Sequence, residues 1–297
     1  MRDPAVIRML PDGRRVHMND GPIDLIIEAK STERALRAAY KAAARRFVSI
    51  LDELCAELPL LRRRSTSSSP EPSGSVARRM AAAVSPYCAD CFITPMAAVA
   101  GAVAEAILGE MTRAAELDRA YVNNGGDIAL HLSRHEHYSV GMVERPDSAS
   151  LFGSVQISAG SPVRGVATSS WHGRSFSLGI ADAVTVLATS AAAADAAATV
   201  IANAVNLPGH PAILRTPANE IAPDSDLGAI PVTRDVGLLS KPDIELALRN
   251  GQQLAEELRD RNLIHSAALC LQGQVRLVGS SQDPYEFESS SRSLQHA

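Results

Sequence analysis

The chain has 297 residues, of which 46% are hydrophobic but only 4% aromatic, and its formal net charge is −4. That size suits one large domain or two modest ones, with a core built from Ala, Val, Leu and Ile rather than rings. The charge balance excludes a whole-chain basic field of the kind that draws nucleic acid, and four cysteines are too few for a disulfide framework.

The first ten residues, M-R-D-P-A-V-I-R-M-L, lack the apolar core of a signal peptide. Residues 5–29 read as short strands and turns. Pro11-Asp12-Gly13 between I-R-M-L and R-R-V-H-M suggests a hairpin, and Asp24 to Ile27 another strand. Ser31 to Leu58 is expected to be helical, capped by Thr32, because Leu36, Ala39, Ala43, Phe47, Ile50 and Leu54 recur at helical spacing. Pro59 is expected to end it. The Ser- and Pro-rich residues 65–76 then read as a mobile loop. Arg62 to Arg64 read as a solvated helix end before that loop, with an anionic partner as the alternative.

Cys88 and Cys91 have CxxC spacing, but no second half follows that would complete a zinc site, and ordinary semi-buried thiols are the plainer reading. Thr94 to Leu117 is expected to be a long Ala-rich helix. Tyr121 to Leu132 reads as a strand interrupted by Gly125-Gly126, with Ser139 to Glu144 as its partner. His131, His135 and His137 fall near that connection, where a polar hairpin loop and a metal pair are the alternatives. Strands follow at Ser150 to Ser158, Arg164 to Thr168 and Ala183 to Leu187, then a helix at Ala191 to Val205. Leu207 to Ser240 is Pro-rich and loop-like. A helix at Asp243 to Asn262 precedes a strand pair, Ser266 to Gln272 and Gln274 to Val278, and residues 281–297 read as a frayed tail. The longest apolar stretches, 96–108 and 181–205, carry Glu105, Asp182 and Asp195 and are not convincing membrane spans. A cytoplasmic chain with no membrane and no nucleic-acid partner is the expectation.

The most informative stretch is A-A-A-A-D-A-A-A-T, residues 191–199. Asp195 stands alone among small residues, and Thr199 lies four positions on, so a carboxylate and a hydroxyl share one helical face. Two hard oxygens with room around them suit Mg²⁺. An Asp/Thr pair hydrogen-bonded within a packed helix is the alternative.

The stretches N-N-G-G-D-I, S-V-G-M-V-E-R-P, G-V-A-T-S-S, A-V-T-V-L-A and A-D-A-A-A-T, in that order, resemble the ApbE-like flavin transferase superfamily over roughly residues 94–206. The patterns G-P-I-D-L-I-I and G-I-A-D-A-V-T-V are similar to a short branch of that superfamily. The resemblance implies an ApbE-like α+β fold across residues 1–297, a single domain with largely antiparallel sheets flanked by Ala-rich helices. It implies FAD and Mg²⁺ as ligands, with pyrophosphate cleavage or FMN transfer as the chemistry. Gly125, Gly126 and Asp127 would line the nucleotide pocket, and Thr168 and Ser169 would sit near the phosphates. Asp195, Thr199 and the carbonyl of Ala198 would hold the metal.

The chain departs from the superfamily pattern at three places. Val99-Ala100-Gly101-Ala102 stands where I-A-K-G is usual, Ser170 where T-S-G ends, and S-F-S-L-G-I-A-D where H-x-x-D-P-x-T-G belongs. FMN transfer is therefore weighed against a non-catalytic flavin- or metabolite-binding protein, and against a hydrolase of different chemistry reusing the pocket. For that other chemistry, Asp182 suits a general base or a second metal carboxylate, and equally an Asp fixing the turn before its strand. His172 beside Trp171 suits a catalytic partner, although surface histidines are commoner, and Arg174 suits an anionic group of a substrate. The expected ligand is a small anionic molecule. Ala-rich faces leave open a homodimer.

Overall fold

In the computed structural model, residues 4–143, 151–279 and 285–289 are described. The chain forms two compact units, each assembled from segments far apart in sequence: residues 1–134, 163–167 and 187–197 in one, and 135–162, 168–186 and 198–297 in the other. Helices and largely antiparallel sheets make it an α+β fold.

The first unit is built on an antiparallel meander. β1 (Val6–Met9), β2 (Val16–Asp20), β3 (Ile23–Lys30), β4 (Arg119–Asn124) and β5 (Asp127–Leu132) pair in sequence order. β2 and β3 alternate buried and half-buried residues, the period-2 signature of a sheet with one packed face. Helices cover that face: α1 (Glu33–Leu61), α2 (Ser75–Val84) and α3 (Val99–Ala114, entered through a 3-10 turn at Pro95–Ala98). Met18, Leu25, Ile27, Phe47, Ile50, Ile107 and Val122 make one core with small residues between. Thr32 caps α1 as expected, its hydroxyl accepting from Ala35 N.

The second unit contains β12 (Ser266–Leu271), antiparallel to β13 (Gln274–Val278) and packed by α6 (Lys241–Asp260). It also contains a three-stranded sheet in the order β14 (Tyr285–Ser289), β7 (Leu151–Ser158), β6 (His137–Val143). β8 (Gly165–Ser169), β9 (Ala183–Ala188) and α4 (Ala191–Ala204) each have residues in both units. β9 and β12 are buried at every position, which is why they read as unbroken apolar runs.

Four expectations need correction. Pro59 does not end α1, which continues to Leu61: a proline in the last turn forfeits one hydrogen bond, and Arg62 N still donates to Leu58 O at 3.0 Å. Ser139 to Glu144 is not the partner of β5, because β6 pairs with β7, while β5 pairs with β4 and, at Ile128 and Ala129, with β8. Residues 207–240 are not all loop: β10 (Ile213–Pro217) and β11 (Pro231–Val236) pair there, with the short α5 (Ala218–Ile221) between them. Prolines stand at the ends of these strands, where a missing N–H costs least. Of the expected frayed tail, residues 285–289 form β14, and 281–284 and 290–297 lie outside the described residues. Residues 144–146, the end of S-V-G-M-V-E-R-P, also lie outside them. In the stretch 65–76, Ser65 is buried and its N–H donates to Ile93 O at 2.8 Å, and α2 has begun by Ser75.

Candidate functional site

In the first unit, Gly125 and Gly126 form the two-residue turn of the β4–β5 hairpin, between the paired Asn124 and Asp127. Their φ angles of 66° and 115° lie where a side chain strains the backbone, and this requirement accounts for both glycines. Asn123 Oδ1 braces the turn by accepting from Gly126 N at 2.8 Å. The turn delivers Asp127 toward Asp195 of α4. Asp195 Oδ2 accepts from Gly101 N of α3 at 2.9 Å, and a second backbone bond comes from Ala100.

The two backbones meet closely because Gly101 lacks a side chain: a Cβ there would stand 2.3 Å from Ala191 O. Asn124 ties the hairpin to the same place, donating from Nδ2 to Ala100 O at 3.1 Å. Burial, and then the neighbouring charge of Asp127, push the Asp195 carboxyl well above the usual carboxylate range against the pull of those backbone bonds. Two carboxylates opposing each other form a hard-oxygen pair whose repulsion a divalent cation relieves, so the residues present fit Mg²⁺. Ala198 is buried, and half-buried Thr199 follows one helical turn after Asp195.

In the second unit, a loop leaves β8 after Thr168 and Ser169 and returns at Asp182. Thr168 Oγ1 lies 2.9 Å from Thr185 Oγ1, and Trp171 N closes the loop on Ala181 O at 3.1 Å. Asp182 is buried and well satisfied. Its Oδ1 is 3.2 Å from Trp171 Nε1 and 3.1 Å from His172 Nε2, and its Oδ2 accepts from Gln272 N at 2.5 Å. The Trp171 and His172 rings are 3.8 Å apart between centroids, tilted by 34°. An ionised carboxylate accepts only, so His172 donates from Nε2 to Asp182. Arg174 is exposed at the tip of the same loop.

The structure therefore brings Asp195 together with Asp127, and Asp182 together with His172. The partners that sequence reasoning missed are Gly101, Asn124, Trp171 and Gln272. All four act through backbone groups or as simple donors, and only the small residue breaking an Ala-rich helix hinted at Gly101. Among the other candidates, His131 Nε2 bonds Leu117 O at 3.0 Å, and His135 sits in a turn at φ 72°. Among the described residues no three His, Cys, Asp or Glu side chains gather as a metal cluster. Cys91 donates to Tyr87 O, and burial pushes its thiol up, the opposite of what a reactive thiolate needs. No described helix is long and apolar enough to cross a membrane.

A family model described as AbpE bacteria matches residues 7–277. A UPF0280 protein of Methanopyrus kandleri is 36% identical over 240 residues, which cover 77% of this chain and 91% of that protein. The UPF0280 protein of Methanothermobacter thermautotrophicus is 43% identical over 123 residues, 39% of this chain and 44% of its own length. Among solved structures, the flavin transferase ApbE from Vibrio cholerae aligns over 94% of this chain and 98% of its own, at 11% identity and a TM-score of 0.46. With a family model matched along nearly the whole described chain, this protein belongs to the AbpE bacteria family and is an ApbE-like protein.

Proposed function

We propose that the protein binds a diphosphate-bearing nucleotide such as FAD together with Mg²⁺ and cleaves the diphosphate, releasing FMN to water or to an acceptor hydroxyl. The observation that carries this reading is the half-buried Asp195 carboxylate, oriented by the Gly101 N–H at 2.9 Å with the charge of Asp127 beside it. Mg²⁺, when bound, supplies positive charge to the diphosphate oxygens and the departing phosphate.

The chain's own residues prepare for it. The Gly101 N–H orients Asp195, and Asp127 supplies a second carboxylate. The Thr199 hydroxyl and the Ala198 carbonyl would be the further oxygen ligands. Gly125, Gly126, Thr168, Ser169 and Arg174 are assigned to the nucleotide by their place in the superfamily motifs, and Arg174 suits a phosphate by its fork of donors.

The Asp182–His172 pair favours a second reading, base-catalysed hydrolysis of another anionic metabolite. Asp182 fixes the imidazole, and the free Nδ1 takes a proton from an attacking water.

Calorimetric titration with FAD, with and without Mg²⁺, followed by chromatography of the samples, tests both. Magnesium-dependent binding with AMP and FMN released, lost in Asp195→Ala, is the expected result. Binding without products makes the protein a carrier or sensor. No binding to the wild-type protein at all refutes the flavin reading and directs the search to other anions with His172→Ala as the probe variant.

A further inference from the structure

The loop between α1 and α2 borders a cleft of about 470 Å³ in the first unit, lined by Arg63 and Arg64 of the loop, Arg78 from α2, and a wall that includes Leu60 and Ala81. Ligand pockets run from about 300 to 1,000 Å³. The loop is held in place at both ends. Ser65 N donates to Ile93 O at 2.8 Å, and Glu57 accepts from Ser73 N and Gly74 N at 2.6 and 2.7 Å. In its middle, Thr66 N donates to Ser69 Oγ at 2.9 Å.

None of the three cleft arginines is in an ion pair with a described residue. Their neighbours are: Arg46 meets Glu53 at 2.7 Å and Arg79 meets Glu105 at 3.4 Å. Glu71 is the one carboxylate that lines the cleft, so positive charge is left in excess by two. Like charges gathered from the loop and α2 repel, and an anion placed among them relieves that repulsion.

We propose that this cleft is a binding site for a small phosphate monoester, sharing no residue with the Asp127–Asp195 pair. A phosphate dianion matches the excess charge. Guanidinium forks match its oxygens, the Ser67 hydroxyl adds a donor, and the apolar wall takes a compact organic body.

Titration calorimetry of the full chain with phenyl phosphate at low ionic strength tests the site. Wild-type protein is expected to bind saturably at one site. Arg63→Gln, Arg64→Gln and Arg78→Gln together are expected to weaken binding by about tenfold or more, with unchanged melting because all three side chains are exposed. Arg78→Gln alone is expected to weaken it by about threefold, should the triple variant fold poorly. Arg62→Gln, one residue away and outside the cleft, and Asp195→Ala leave phenyl phosphate binding as it was. That last control separates this site from the proposed nucleotide function. The inference is overturned if wild-type protein does not saturate, if the cleft variants bind as wild type, or if Arg62→Gln weakens binding as much as they do.

Discussion

Gly101→Ala tests the packing that positions Asp195. A Cβ at residue 101 would stand 2.3 Å from Ala191 O, 2.5 Å from Ala191 C and 2.7 Å from Ala192 N. All three are backbone atoms, so no rotamer change clears the clash, and α3 must move about 1 Å from the start of α4 to restore ordinary contact. That movement draws the Gly101 N–H away from Asp195 Oδ2, now at 2.9 Å, and loosens the packing of Ala102, Ala191 and Ala192. Overpacking costs about 2 kcal/mol and a weakened bond to a carboxyl group about 2 more, while helix propensity returns about 1. The net is a loss of about 3 kcal/mol, or roughly 6–12 °C in melting temperature for a chain of this size. Gly109 of the same helix is the control. Its Cβ would meet only the flexible Arg113 Nη2 at 3.7 Å, so Gly109→Ala is expected to gain about 0.5–1 kcal/mol. Thermal and urea unfolding of both variants decide the matter. Melting of Gly101→Ala within about 1 °C of wild type, or an equal loss in Gly109→Ala, refutes the packing argument.

Two more outcomes follow from the carboxylates. The folded protein holds the Asp195 carboxyl above its ordinary range, so it binds more protons there than the unfolded chain. That contribution to stability is full below the usual aspartate pKa and is lost as pH rises toward the folded value. In metal-free buffer, Asp195→Asn is therefore expected to melt above wild type at neutral pH, with the gap closing toward pH about 4; a gap independent of pH contradicts this account. Asp182→Ala leaves Trp171 Nε1, His172 Nε2 and Gln272 N without their acceptor. It is expected to cost about 2–4 kcal/mol and to shift the emission of the single tryptophan. Unchanged emission and melting would show that Asp182 does not organise this loop.

Much of the fold was legible because local physics decided it. The helical spacing of α1, the cap at Thr32 and the hairpin around Pro11-Asp12-Gly13 each depend on neighbours in sequence. Errors came where distant partners decide. Periodicity identifies β6 as a strand, yet nothing local says that it pairs with β7, or that Ile128 meets Val166 of β8. The β10–β11 ribbon hides behind prolines that read as loop until the pairing shows them at its ends. The same division runs through the candidate site. Asp195 is conspicuous among alanines, but the N–H that orients it comes from a residue 94 positions away in sequence.

The two carboxylates, Asp182 buried and Asp195 half-buried, make different demands, and that difference ranks the experiments. Asp182 receives two side-chain donors and a backbone N–H, so its charge is compensated by the protein itself and needs no ligand to explain it. Asp195 receives backbone N–H groups alone, while Asp127 adds repulsion. A charge held in that way either takes up a proton or meets a cation. Alanines let the backbones close around it, and Gly101 brings α3 near enough to orient it, so the arrangement is built rather than incidental. A proton alone would be met as well by an asparagine at 195, which keeps the acceptor for Gly101 without the repulsion. Magnesium titration of wild type against Asp195→Asn separates these two cases directly. A cation that binds wild type more tightly as pH rises, and ignores the variant, establishes why the carboxylate is there; equal affinity for both proteins removes the metal from Asp195 and leaves the proton as its only partner.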